Sequence, residues 1–250
     1  MTVSRRTFGC QALGSLLTFS MLETFARQDL FADEIKPVTT KWLAEVNQLG
    51  WDAKKQKVKQ VDWQQQVEAL YEKVDLDDLL KLVDFDKLTT NLQMVDNGAR
   101  SLQFKFRQVE GVPGDLAFGK QIFALKKGCS VVPHGHNNMA TAFLILKGNL
   151  HGRHYDRLED HEDHMIIKPT IDRPFGPKEH SSVSDDKDNI HWFKATSESA
   201  FIFNIHVMDV RPGSAAPTGR VYVDPNGEKL AGGLIRAPRL AYKEAHKLYG

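Results

Sequence analysis

The sequence predicts an all-β fold, a small barrel or sandwich of many short strands, with a helical extension at its N-terminal side. Three observations lead there. From residue 100 the apolar residues take a period of two: Leu102, Phe104 and Phe106 alternate with Gln103, Lys105 and Arg107, the pattern of a half-buried strand. Beyond it, short apolar segments come closely one after another with turn residues and no helical pattern between them, which indicates a sandwich or barrel. Before residue 93 the period is instead helical, with Trp42, Leu43, Val46 and Leu49 in one set and Trp63, Val67, Leu70 and Tyr71 in the next.

In chain order, residues 1–26 read as an export signal, 27–99 as a lead-in and helical extension, and 100–250 as the barrel with a C-terminal tail. Helices are expected over 38–92. Asp62 is placed to cap the second, and Asp75 or Asp77 to cap a third carrying Leu79, Leu80 and Leu82. These helices are expected to pack on the outside of the barrel. After the Gly111-Val112-Pro113-Gly114 turn, strands are expected at 117–126, 129–136, 140–147, 149–157, 163–168, 188–196, 199–207 and 219–223. Asp224-Pro225-Asn226-Gly227 makes a turn, and Pro238 to Tyr249 forms a closing helix.

Composition narrows the function classes. With 41% hydrophobic and 26% charged residues and a formal charge of +1, nothing selects nucleic acid or an anionic membrane as a partner. The body of the chain has no apolar run of membrane-spanning length, and a monomer is expected. The start Ser4-Arg5-Arg6-Thr7-Phe8, leading into a moderately apolar stretch to Leu22, is similar to a twin-arginine export signal. A periplasmic or otherwise exported protein is the expectation. Cys10 falls in that signal, so Cys129 would stand alone and no disulfide framework is expected.

Histidine carries the chemistry. Nine of ten histidines lie between His134 and His206. In the run Gly128-Cys129-Ser130-Val131-Val132-Pro133-His134-Gly135-His136, the two histidines stand two apart, so a strand points both imidazoles to one side. Imidazole ligates iron, zinc, copper or nickel. A third imidazole is available from a later strand, at His191 or at His206, which lies two residues after Asn204. The acidic, histidine-bearing stretch Glu159 to His164 is expected to be a polar loop rather than a second metal site.

The first of these runs resembles the first signature of the cupin family. Gly128 and Gly148 match its glycines, His134 and His136 its histidines, while Thr141 stands where the family's glutamate ligand does. The second signature is matched less well: His191 takes its histidine, with Asp186 and Asp188 at two places of its proline and glycines. The missing glutamate points to a narrower group. Pro133-His134-Gly135-His136-Asn137-Asn138-Met139, Gly148-Asn149-Leu150-His151, Tyr155-Asp156 and Asn189-Ile190-His191 are together similar to the thiol dioxygenases, nearest the plant cysteine oxidases and 2-aminoethanethiol dioxygenases. That resemblance spans about residues 95–225. It implies a jelly-roll cupin barrel and Fe(2+) on His134, His136 and His191. It also implies a small thiol as substrate, oxidised by dioxygen to a sulfinic acid. Asn204 takes the place of a family aspartate, shifted by one, and Tyr222 comes after a similar Gly219-Arg220 pair.

Such a site needs open metal positions for thiolate and oxygen, which three imidazoles leave. Asn204 and Tyr222 are candidates for orienting the imidazoles, and Arg153, on the hairpin strand with His154, for receiving a substrate carboxylate. Met139 is expected to pack beside the histidines, Cys129 to lie in the core, and at least one of Trp192 and Phe193 with it. Other metal-dependent cupin oxidoreductases or lyases, and non-catalytic small-ligand binding, are the competing classes.

Overall fold

Pro37 to Gly250 forms one unit that begins with four helices and continues as β-structure. The structure, a computed structural model, describes residues 34–214 and 217–250; the expected signal over 1–26, with Cys10, and residues 27–33 lie outside the described residues. The helices are α1 (Pro37–Lys54), α2 (Gln60–Lys73), α3 (Leu76–Leu82) and α4 (Phe85–Thr89). The first two bury the apolar stripes that their spacing predicts: Trp42, Leu43, Val46 and Leu49 on α1, and Trp63, Val67 and Tyr71 on α2. Asp75 caps α3, its carboxylate accepting from the backbone N–H of Asp77 at 3.1 Å and Asp78 at 3.2 Å. Asp62 does not cap α2. That helix starts two residues earlier, and Asp62 sits in its first turn, where a negative charge still meets the positive end of the helix dipole. No described helix is long and apolar enough to cross a membrane.

The strands are β1 (Arg100–Leu102), β2 (Gly119–Lys126), β3 (Ser130–Asn137), β4 (Met139–Lys147), β5 (Leu150–Asp160), β6 (His164–Phe175), β7 (His180–Val183), β8 (Ile190–Ala195), β9 (Ser199–Met208), β10 (Gly219–Val223), β11 (Glu228–Lys229) and β12 (Ile235–Leu240). They form two antiparallel sheets, in the orders β1-β2-β9-β4-β7 and β10-β3-β8-β5-β6-β12-β11. The pairings nest: β5 with β6, β4 with β7, β3 with β8 and β2 with β9. One long hairpin rolled up on itself gives that sequence of pairs, which is a jelly roll. The predicted all-β, jelly-roll architecture with its helical extension is the one observed. Phe143, Ile145, Leu150, Phe175, Phe193 and Ile202 from the two inner faces fill one end of the barrel. The other end holds the histidines.

Four expectations are corrected. The strand predicted through Arg107 stops at Leu102. Phe104 and Phe106 are still buried while Gln103 and Lys105 are exposed, because both rings pack on Phe203, but the Arg107 N–H bonds to the Leu82 carbonyl of α3 instead of a ladder. Alternation requires only an extended chain over an apolar surface, whereas a strand also requires a partner edge. β6 runs on to Phe175, beyond the expected 168. β7, β11 and β12 are additional to the expected strands, and the closing helix, α5 (Tyr242–Tyr249), begins after β12 rather than at Pro238.

The helices are fastened to the barrel by buried polar groups. Gln64, 2% exposed, donates to the Ser182 carbonyl at 3.0 Å and accepts from the Ser184 hydroxyl at 2.7 Å. The Ser182 hydroxyl donates to Glu68 at 2.6 Å. The first of these bonds reaches a backbone carbonyl of β7, the edge strand of its sheet, and the other two tie α2 alongside it.

Candidate metal centre

His134 and His136 project from β3, and β8 brings His191 directly opposite His134. The ring centroids lie 4.1 Å apart for His134 and His191, 4.9 Å for His136 and His191, and 5.1 Å for His134 and His136. All three side chains are buried. Each has its Nδ1 engaged: His134 with the Val132 carbonyl at 2.7 Å, His191 with the Asn189 carbonyl at 3.3 Å, and His136 with the Thr141 hydroxyl at 3.0 Å. A carbonyl only accepts, so Nδ1 of His134 and of His191 carries the hydrogen, and Nε2 keeps its lone pair.

The Nε2 atoms of His136 and His191 are buried without any partner. An orphaned buried acceptor is costly, and two of them side by side are costlier still unless something binds both. The three residues form a group whose ligand atoms lie within 4.8 Å of one another, the one such group among the described residues. It contains no carboxylate. Burial, then the neighbouring imidazoles, holds the pKa values of His134 and His136 well below the usual histidine value; burial does the same for His191. Neutral imidazole is the ligating form, so these residues fit a divalent first-row metal. Thr141, at the place of a cupin glutamate, supports the His136 ring by its hydroxyl. Asn189 supports two ligands at once: its side-chain amide donates to the His136 carbonyl at 2.8 Å while its own carbonyl takes the His191 Nδ1 hydrogen. Gly135 allows this, since a Cβ there would collide with the Asn189 amide oxygen.

The opposite sheet closes a cavity of about 60 Å³ over the histidines with Phe123, Met139, Thr141, Phe143, Asn204, His206 and Met208, and Arg220 joins them from β10 of the histidines' own sheet. Met139 thus packs beside the histidines as expected. His206 lines the cavity from β9, opposite Thr141 and Gly119, and is not part of the metal-spaced group; His191 is. Asn204 faces the cavity, its amide oxygen accepting from Gln121 at 3.3 Å. Tyr222 pairs with His134 across β10 and β3, its ring 5.9 Å from that imidazole. It lines an adjoining compartment rather than the cavity itself.

Arg153 is a correction. It lies outside the barrel, stacked 4.8 Å from Trp192 and paired with Asp172 at 3.3 Å. On a strand, neighbours point to opposite faces, and it is His154 that points inward: fully buried, 6.2 Å from the His191 ring and 3.4 Å from the Ser181 hydroxyl. The cation that does face the histidines is Arg220, opposite His136 in the β10 register. Its signal was present in the sequence, two residues before Tyr222 and therefore on the same face. Phe193 and Cys129 are buried, as is Trp192 at 9% exposure. His161 and His164 stack with centroids 4.3 Å apart beside the turn between β5 and β6.

No family model matches the chain, and no curated protein does. Solved structures do resemble it, and cupins are among them. An oxalate oxidase in complex with glycolate has a TM-score of 0.36 at 15% identity, over 51% of this chain and 56% of that one. A cupin superfamily protein from Desulfitobacterium hafniense DCB-2 has a TM-score of 0.32 at 16% identity, over 49% of this chain and 88% of that one. Procruciferin, an 11S globulin from Brassica napus, gives 0.31 at 11% identity over 42% of this chain, which spans only 22% of that protein. Likenesses this distant bear on neither activity nor substrate. The fold rests on the nested strand pairing and the site on its own geometry.

Proposed function

We propose that the chain is a mononuclear non-haem iron enzyme that uses dioxygen to convert a small thiol to a sulfinic acid. The observation that carries this reading is the trio of buried imidazoles whose ligand atoms lie within 4.8 Å of one another, with Nε2 of His136 and His191 unpartnered and no protein carboxylate among them. The similarity of the His134, His136 and Asn189-Ile190-His191 runs to thiol dioxygenases adds the choice of reaction. His134, His136 and His191 would hold Fe(2+), which supplies the redox chemistry that dioxygen needs to react with a thiolate. In the balance of the reaction both oxygen atoms go to sulfur, sulfur gives up four electrons, and the thiol proton is released as the thiolate forms.

The chain's own residues have four tasks here. The hydrogen bonds at Nδ1 hold each imidazole in orientation, and the two to carbonyls keep His134 and His191 in the tautomer with Nε2 free. A site of neutral ligands leaves the metal's charge uncompensated, and Arg220 adds to it, so the thiolate form of a substrate is favoured. Phe123, Phe143, Met139 and Met208 exclude water around the reacting sulfur. Asn204, with its oxygen engaged by Gln121, has amide hydrogens to offer a bound substrate. The small cavity suits a small thiol.

The test is oxygen uptake by protein reconstituted anaerobically with ferrous ion, against a panel of small thiols. Uptake with a mass gain of two oxygens on one thiol is the expected result. Uptake only with non-thiol substrates would move the chain to another cupin oxidoreductase. Tight ligand binding with no turnover in any metal form would make it a binding protein. Export by a twin-arginine route belongs to the same proposal, since that route carries folded proteins whose metal is already in place. Arg5→Lys with Arg6→Lys should retain the precursor in the cytoplasm; undiminished export of the double variant would exclude the route.

A further inference from the structure

In the wall that faces the imidazoles, β9 contributes two polar residues, and each is matched to a residue of β2. Gln121 stands directly opposite Asn204 in the β2–β9 register, and Gly119 opposite His206. Residues opposite each other in paired strands share a face of the sheet, so all four positions belong to the face that closes the cavity. At Gly119 the match is one of room: a Cβ there would collide with the His206 imidazole. At Gln121 the match is one of hydrogen bonds. Gln121 is buried, and a file of polar side chains reaches it from the surface. The exposed Gln103 donates to the Ser101 hydroxyl at 3.1 Å, that hydroxyl donates to Gln121 Oε1 at 2.5 Å, and Gln121 Nε2 donates to Asn204 Oδ1 at 3.3 Å.

The bonds of this file all run inward. A hydroxyl owns one hydrogen. Ser101 accepts from Gln103 and gives its hydrogen to the Gln121 amide oxygen, which turns the Gln121 NH2 group to Asn204. The Asn204 oxygen is thereby taken. Its own NH2 group, which has no partner among the described residues, is left for the cavity over the imidazoles. Beside it, His206 has a buried Nδ1 without a partner. Amide hydrogens turned toward a cation are repelled by it unless acceptor atoms lie between the two. The arrangement therefore suits a metal that carries a ligand with oxygens of its own, and the oxygens of an anion best of all.

We propose that Gln121 and Ser101 are positioning residues for this cavity: they hold the Asn204 amide with its hydrogens toward the metal position, so that the wall opposite the imidazoles receives the oxygens of a sulfinate group bound there. The sulfinate rests on the thiol reading above, whereas the orientation of the amide rests on the hydrogen bonds alone. A thiol enters with no oxygen on its sulfur and leaves with two, so a donor placed here meets its acceptor only as the reaction proceeds. An interaction made late, and not with the starting thiol, adds to rate rather than to thiol affinity. Gln121 does not touch the reacting atoms. Its effect passes through Asn204, and that of Ser101 through Gln121.

The test uses the full chain loaded with zinc, which has no redox chemistry, and calorimetric titration with methanesulfinate and with 2-mercaptoethanol. Both bind a metal as anions, so the ratio of their affinities cancels a change in net charge and reports the oxygens. The wild type should bind methanesulfinate measurably. Gln121→Met, which frees the amide to turn, should lower the ratio of sulfinate to thiol affinity by about threefold or more. Gln121→Glu, which only accepts and so draws the Asn204 hydrogens away from the metal, should lower it by about tenfold or more. Ser101→Ala should lower it by about threefold, and Ser101→Thr, which keeps the hydroxyl, should restore it. Unchanged zinc content and circular dichroism would show that the variants are folded, and a general loosening of the site would weaken both ligands together. A ratio within about twofold of wild type in Ser101→Ala and both Gln121 variants, no recovery with threonine, or no methanesulfinate binding by the wild type would overturn the proposal. The two readings fail separately. Thiol-dependent oxygen uptake that yields a sulfinate, with a ratio that these substitutions do not move, sinks the oriented amide and keeps thiol oxidation. A ratio that falls as expected, with no uptake by the ferrous protein on any thiol, sinks thiol oxidation and keeps the oriented amide.

Discussion

At the scale of single residues, the centre is defined by where lone pairs are left over. Nε2 of His136 and of His191 have no partner, while every Nδ1 in the trio has one. His206 is half-buried on the facing sheet, and its pKa is lowered by burial and then by Arg220, but it stands apart from the metal-spaced group. Alanine at His134, His136 or His191 should therefore abolish stoichiometric metal, and alanine at His206 should retain it, as read by metal analysis of purified protein. Metal lost with His206→Ala and kept with His191→Ala would move the centre to β9. Much of this was legible in the sequence. The His-x-His spacing fixes one face of a strand whatever the fold. Strand period alone did not separate His191 from His206, since both lie on late strands in phase with a cavity; the likeness of the Asn189-Ile190-His191 run favoured His191. Only the sheet order decides which strand adjoins β3.

At the scale of elements, the critical joint is that between β3 and β8. Their ladder is interrupted between Val131 and His134, so regular backbone bonding does not by itself fix the two ligand-bearing segments relative to each other. Asn189 does so with a side-chain bond to the His136 carbonyl at 2.8 Å and another to the Ser184 carbonyl at 2.8 Å, from a residue 1% exposed. Arg157 adds a bond to the Asn137 amide oxygen at 2.7 Å. Asn189→Ala should leave the three imidazoles in the chain yet loosen their geometry. The expected cost is about ten- to a hundredfold in metal affinity, measured by competition with a chelator, with little change in secondary structure. Metal affinity equal to wild type would show that the joint is held elsewhere. The Asn-Ile-His run was visible as a motif, but what its asparagine does was not, because the carbonyl it reaches is 53 positions away.

At the scale of the whole molecule, burying His134, His136, His154 and His191 inside one barrel makes stability depend on pH. His154 is the clearest case. Burial first, then the charges of Arg173 and Lys187, push its pKa from 6.5 down to about 3. The folded protein thus refuses a proton that the unfolded chain accepts between those two values. In that window the unfolded state binds more protons, so stability rises with pH. It is fully present above 6.5 and falls away as the solution is acidified toward about 3. The shift corresponds to a loss on the order of 5 kcal/mol, to which the metal-free trio adds in the same direction. His154→Phe, which suits the space beside Phe175 and Phe193, should flatten part of this acid limb in denaturant titrations of metal-free protein between about pH 6.5 and 4. A slope unchanged from wild type would show that His154 is not one of the groups responsible.

The sequence by itself determined the class of fold, the helical extension and two of the three imidazoles, because these come from local periods: about 3.6 for a helix face and two for a strand face. It also marked His191 by a run of neighbours, and the absent carboxylate by Thr141. The tertiary structure decided what depends on which strands lie side by side. It turned Arg153 outward and put Arg220 at the wall of the cavity. It set His206 across from the trio instead of in it, and buried His154 behind His191. It also ended β1 at Leu102 although the alternation of Phe104 and Phe106 continued, since a strand needs a partner that no local pattern can supply. A strand's period says which residues share a face; the rolled hairpin, pairing residues tens of positions apart, says what that face meets.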